Sequence, residues 1–164
     1  MVGEGVSLAR CGEDVCVEAC AEEKLCRNLK GRGLLFEDGR IDVLEAAYLL
    51  ARCKARLDGE CGWVEALRIL GSVESVDLFH VYYDLRKRGR NVRRGVRRST
   101  LLLRVSGSRT AEILVLGEGR PVTIEWLVEW SRTASGDGKD PVIAVVDGHG
   151  NVTYYHARAV TTLT

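Results

Sequence analysis

The sequence predicts an α+β (mixed α/β) chain in two parts. A small N-terminal α+β domain is expected over residues 1–73, and a C-terminal domain, a mixed sheet flanked by helices, over 74–164. Three observations point there. Apolar residues recur at helical spacing in some stretches and alternate or run continuously in others, so both periods are present. Gly71 and Ser72 interrupt the pattern near the middle of 164 residues, a length that buries one substantial core or two small ones. After that break the elements read helix, three strands, helix, two strands. Hydrophobic content of 46% with 29% charged residues suits a folded chain, and 18 Gly against 2 Pro supplies turns without a proline-rich linker.

In the first half, Val2–Ala9 and Asp14–Val17 read as strands about a Gly12 turn. From Glu18 to Leu29, Ala21, Leu25 and Leu29 repeat at i+4 and predict an amphipathic helix, ended by Gly31 and Gly33. Leu34–Phe36 makes a brief strand closed by Asp38-Gly39. Asp42 with Glu45 forms a capping box for a helix whose face is Leu44, Ala47, Tyr48 and Ala51. Trp63–Leu70 is a shorter helix. Six cysteines, at 11, 16, 20, 26, 53 and 61, form no Cys-x-x-Cys pair, so the zinc-ribbon signature is absent. Reduced, buried cysteine is the favoured expectation, because Cys16, Cys20 and Cys53 fall where small apolar side chains serve. Disulfides are the alternative for an intracellular protein of a hyperthermophile, and the sequence leaves both open.

The second half is organised around Phe79–Arg98. Val81, Tyr82 and Leu85 predict a helix, Gly89 a left-handed stop, and Arg86, Lys87 and Arg88 complement the dipole of the last turn. A short strand is expected where Val92 and Val96 flank Gly95. Eight of the 24 Lys and Arg lie between Arg86 and Arg98, while the net charge is only +1. A basic patch on a nearly neutral protein implies a local polyanion contact rather than general adhesion, although a charge run is ordinarily a solvated face. Thr100–Val105 and Ala111–Leu116 read as a hairpin about Ser106-Gly107-Ser108. Pro121 and Thr123 open a helix with Ile124, Leu127 and Val128 on its buried side and Trp126 and Trp130 spaced as core residues. A polar loop to Asp140-Pro141, a continuous strand Val142–Val146, a turn at 147–151 and an alternating strand Val152–His156 complete the pattern. Glu4, Arg10, Glu13 and Asp14 break any leader-like apolar run, and no stretch approaches the ~20 apolar residues of a membrane span. A cytoplasmic location without membrane contact is expected.

The run Tyr82-Tyr83-Asp84-Leu85-Arg86-Lys87-Arg88-Gly89, with Val92 and Gly95 after it, resembles the archaeal tRNA-splicing endonuclease family. There an aromatic-x-Asp-Leu-Arg-x-Arg-Gly helix leads into the first strand of the nuclease domain. Glu45-Ala46-Ala47-Tyr48-Leu49-Leu50 resembles the helix of that family's N-terminal domain. Arg132-x-Ala134, Lys139, Ala144-Val145-Val146-Asp147 and Tyr154-Tyr155 follow in the family's order. The resemblance covers most of the chain and implies a nuclease-like C-terminal domain.

It also implies a chemistry. The family cleaves RNA without metal or cofactor, using the ribose 2′-hydroxyl as nucleophile. A base must take the 2′-proton, an acid must protonate the leaving oxygen, and a cation must hold the charge growing on phosphorus. The family uses a Tyr, a His and a Lys. Here Val105 stands at the Tyr position and Thr110 at the His position, and Lys139 alone remains, seven residues after Arg132. Its neighbours Asp140 and Pro141 depart from the family's flanks, and His80, His149 and His156 are expected to be structural.

The resemblance therefore implies a non-catalytic structural subunit of a heterotetrameric (α2β2) endonuclease. Its partners would be a catalytic subunit and precursor tRNA with a bulge-helix-bulge motif. Subunit contacts are implied for Asp147 and for the strand from Tyr154 to Ala159, including Tyr155, His156 and Arg158. RNA contacts are expected for Arg93, Arg94, Arg97, Arg98 and Arg132, the last matching a base-clamping arginine of the family. Two alternatives are a stand-alone RNA-binding module built on the 86–98 cluster and an active endonuclease with displaced catalytic groups at His149 or His156.

Overall fold

The computed structural model describes residues 5–158, which divide into two units between Ser72 and Val73. In the first, strand β1 (Val6–Cys11) buries Val6 and Leu8 and turns Ser7 outward, the period-two pattern of a half-buried strand. It pairs antiparallel with β2 (Asp14–Cys20) and parallel with β4 (Ala55–Leu57), while β2 pairs with the two-residue β3 (Arg40–Ile41), giving the order β3-β2-β1-β4. Helix α1 (Glu23–Gly31) buries Cys26 and Leu29. Helix α2 (Val43–Ala51) starts where expected: Asp42 accepts hydrogen bonds from the backbone N–H groups of Leu44 at 2.9 Å and Glu45 at 3.3 Å. Its buried side is wider than one stripe and takes in Leu44, Glu45, Ala46, Ala47, Leu49 and Leu50. Helix α3 spans Trp63–Leu70 and ends on Gly71, whose φ of 73° is the left-handed stop that glycine adopts without strain.

Three expectations change here. The helix predicted from Glu18 begins only at Glu23, because β2 continues pairing with β1 as far as Cys20. Leu34–Phe36 supplies a single bridge, Leu35 to Ile41, rather than a strand. The cysteines are paired, not reduced: Cys11–Cys16, Cys20–Cys26 and Cys53–Cys61. The reason is local. The β1–β2 turn, the β2–α1 junction and the turns on either side of β4 bring cysteines five to eight residues apart to Cα separations of 5.9, 6.5 and 5.2 Å, within bridging range. The predicted strand start at Val2 lies outside the described residues.

The second unit opens with α4 (Val73–Lys87), which buries Leu78, Phe79, Val81, Tyr82 and Leu85. After the left-handed Gly89 come β5 (Val92–Arg94), β6 (Thr100–Ser106) and β7 (Arg109–Gly117), then α5 (Ile124–Gly136), β8 (Lys139–Val146) and β9 (Val152–His156). The sheet order is β5-β6-β7-β8-β9, antiparallel throughout except β7 with β8, which α5 connects as a crossover. Helix α4 lies on one face, where Tyr154 of β9 donates its hydroxyl to Asp84 at 2.7 Å. Helix α5 lies on the other, where the Trp130 ring nitrogen donates to Glu112 of β7 at 2.9 Å. Gly95 is required by close approach, since a Cβ there would strike the Thr100 side chain.

Two more expectations shift. On α5 the buried residues are Trp130, Ser131 and Ala134, while Ile124 and Trp126 are 70% and 47% exposed. The helix rests its second half on the sheet and leaves its first turn clear. Strand β8 begins at Lys139, three residues before the apolar run at Val142, because Lys139, Asp140 and Pro141 already pair with Thr110, Ala111 and Glu112. Among the described residues no helix is long and apolar enough to cross a membrane.

Candidate functional site

Register assembles the site. Arg104 on β6 faces Thr110 on β7, and Thr110 faces Lys139 on β8. These three Cα atoms make a row across neighbouring strands, about 4.8 Å apart at each step. Val105 sits beside the row, at the irregularity between Arg104 and Ser106, and is 40% exposed. The structure therefore brings Val105, Thr110 and Lys139 together on one part of the sheet. Of the three, only Lys139 carries a group that can gain or lose a proton.

Side chains alternate across a strand, so Glu112 shares a face with Thr110, and Lys139 points the same way from β8. Glu112 is 2% exposed, and a buried carboxylate must be compensated. Three donors converge on it: Arg97 Nη1 at 2.6 Å, Trp130 Nε1 at 2.9 Å and Lys139 Nζ at 3.3 Å. The loop between β5 and β6 delivers Arg97, whose Nη2 also donates to Asp137 just past α5 at 2.6 Å. Lys139 reaches Asp137 as well, at 3.5 Å. Two cations and two carboxylates thus close a neutral ring. The Arg97 guanidinium holds the Asp137 carboxyl below the usual carboxylate range. The ring fixes the β7–α5–β8 junction, with each cation engaged by carboxylates and each carboxylate by cations.

The expected RNA contacts separate into different settings. Arg97 belongs to the ring. Arg98 pairs with both oxygens of Glu74, at 3.0 and 2.7 Å, and Ser99 donates to Glu74 too. Those donors, Arg98 first, push the Glu74 carboxyl down to about 2. Arg93 and Arg94 are exposed on β5 and point to opposite faces. Arg132 lies in an open groove of about 580 Å³ with His156 and Arg158, walled by Arg109, which pairs with Asp140 at 2.8 Å. Lys139 does not line that groove.

Of the expected subunit contacts, Asp147 accepts from the N–H groups of His149 and Asn151, both at 2.8 Å, and from the Asn151 amide. These donors, Asn151 first, keep its carboxyl below the usual range. Tyr154 turns toward α4, and burial, together with the Asp84 carboxylate, raises its phenol. Tyr155 is 55% exposed, and His156 is exposed at the end of β9. Ala159, the expected end of that strand, lies outside the described residues.

Sequence reasoning singled out neither Glu112 nor Asp137 and took Trp130 as core alone. A signal for Glu112 existed: one carboxylate inside the apolar run Ala111–Leu116 must find a cation. Nothing in the sequence pairs Arg97 with it across 15 residues.

Comparison with known proteins bears on the same residues. A family model described as the tRNA intron endonuclease catalytic C-terminal domain matches residues 76–154. A tRNA-splicing endonuclease of Methanothermobacter thermautotrophicus (strain Delta H) is 30% identical over 145 residues, covering 80% of this chain and 85% of that protein.

Proposed function

The chain belongs to the tRNA-splicing endonuclease family, and within it we propose the role of a non-catalytic, structural subunit. One observation carries the proposal. At the positions the resemblance assigns to base and acid stand Val105 and Thr110, and the Lys139 amine beside them donates to Glu112 and Asp137. A lysine so engaged balances a buried carboxylate, and without a proton-transfer pair its charge cannot by itself cleave a phosphodiester.

In this reading a catalytic subunit supplies the chemistry within an α2β2 assembly, and the RNA substrate is precursor tRNA bearing a bulge-helix-bulge motif. Strand β9 is an edge of its sheet, with Tyr155 and His156 exposed, which supports pairing with another chain through that edge. Asp147, its carboxylate kept ionised by the donors of its own turn, is the anionic group offered to a basic pocket. Arg132 and Arg158 flank the groove that would face RNA or the partner.

The test is reconstitution. The purified chain is expected to leave bulge-helix-bulge RNA uncut, and cleavage is expected once a catalytic subunit from the same source is added. Cutting by the isolated chain, abolished by substitution of His149 or His156, would replace this role with an active nuclease of displaced chemistry.

A further inference from the structure

Eight cations between Arg86 and Arg98 form one cluster in the sequence, but the fold divides them. Arg88 pairs with Asp84 at 3.0 Å, Arg97 with Glu112 and Asp137, and Arg98 with Glu74; Arg86 is engaged as well. Lys87, Arg90, Arg93 and Arg94 remain, all exposed and without an acidic partner among the described residues. They occupy the last residue of α4, the turn after it and the edge strand β5. We propose that these four side chains are the chain's phosphate-binding track for RNA, on the edge of the sheet opposite β9. The proposal rests on the family reading for the presence of RNA and adds which cations hold it.

Two features favour a polyanion over a mere guard on an edge strand. Charged residues, lysine above all, do blunt edges against unwanted pairing, yet three of these four are arginines, whose planar fork matches phosphate oxygens two at a time. Arg93 and Arg94 project to opposite faces, opposite Leu102 and Leu101 respectively, so positive charge wraps the edge and can follow a backbone. A protein partner fits less well. Between residues 87 and 98 the large apolar side chain left exposed is Val96, too little for the apolar centre of a protein interface. Arg97 and Arg98 are excluded because recruiting either would take the shortest ion pair from Glu112 and Asp137 or from Glu74.

The experiment measures binding of the full-length chain to a synthetic bulge-helix-bulge RNA carrying 2′-deoxyribose at both scissile positions. Affinity is followed across a KCl series. Each phosphate contact contributes about 0.7–0.9 to the slope of log affinity against log salt. The K87S/R90S/R93S/R94S variant is expected to lower that slope by about 2 to 4 and to weaken binding about tenfold or more near 0.1 M salt. R98Q is expected to leave the slope unchanged. Circular dichroism checks the fold, and if the quadruple variant does not fold, R90Q and R93Q singly should each lower the slope by about 0.7–0.9. An unchanged slope in the charge-depleted variants overturns the proposal, as does salt-independent or absent binding by the wild type. Loss of binding to a catalytic subunit with the RNA slope intact makes the strip a protein contact instead and also overturns it. The deoxy substrate cannot be cut through a 2′-hydroxyl, so the slope stands or falls separately from the structural-subunit role.

Discussion

Three disulfides cross-link the N-terminal unit between residues 11 and 61, whereas the C-terminal unit has no cysteine and fixes its site with four charged side chains around a tryptophan nitrogen. The difference follows from how much sheet each unit can build. In the first, β3 and β4 have only two and three residues, and the bridges staple the ends of β1, β2 and β4. In the second, five strands are covered by α4 and α5, and the buried Glu112 of the central strand is held by Arg97, Lys139 and Trp130. Two units of one chain thus place their vulnerability in different chemistry: reduction for one, charge substitution for the other.

Reduction should break the comparison most visibly. Loop closure over such short spans gives about 2 kcal/mol per bridge, so about 6 kcal/mol for the three. Hydrogen exchange with and without reductant should therefore lose protection in β1, β2 and α2 while β6–β8 keep theirs. Equal loss in both units would dissolve the distinction.

Within the second unit, R97M should cost about 3 kcal/mol in a urea titration, because it strips the shortest ion pair from the buried Glu112. K139M, acting through contacts of 3.3 and 3.5 Å, should cost about 1 kcal/mol. A reversed order would make Lys139 the principal counter-ion and Arg97 the accessory one. D42A should cost about 1 kcal/mol by removing the acceptor for two N–H groups of α2, read as a fall in stability of the first unit alone.

The smallest effect is one of pH. Glu74 titrates near 2 in the fold against an ordinary 4.5, so its ionised form adds stability above about pH 4.5. That contribution fades as pH falls from 4.5 toward 2. Melting temperatures measured over that window should fall less steeply for E74Q than for the wild type. Identical slopes would show that the Arg98 and Ser99 contacts do not persist in solution.

Local signals were the readable ones. Asp42 capped its helix with its carboxylate, although its own N–H went to the Leu34 carbonyl and not to Glu45 as a full capping box requires; Gly71 and Gly89 stopped theirs in the left-handed conformation, and the apolar run at Val142–Val146 became a strand. Failures arose where a neighbour overruled a pattern. Glu18–Ala21 has helical spacing, but β1 captured residues up to Cys20 as a strand. Ile124 shares helical spacing with Leu127 and Val128, and Trp126 with Trp130, but the sheet reaches only the later turns of α5. At the site, the sequence shows a valine at 105 and a threonine at 110. That Thr110 lies directly across from Lys139 required the parallel register of β7 and β8.

The residues by themselves determined where charge and apolar surface occur along the chain and where helices can start and stop, because each of these is set within a few neighbouring positions. The tertiary structure decided which cysteines meet, that Arg97 and Arg98 are spent on Glu112, Asp137 and Glu74, and that Lys87, Arg90, Arg93 and Arg94 are not. An arginine's partner is fixed by what the fold brings within about 4 Å of it, and neither charge nor spacing along the sequence carries that distance.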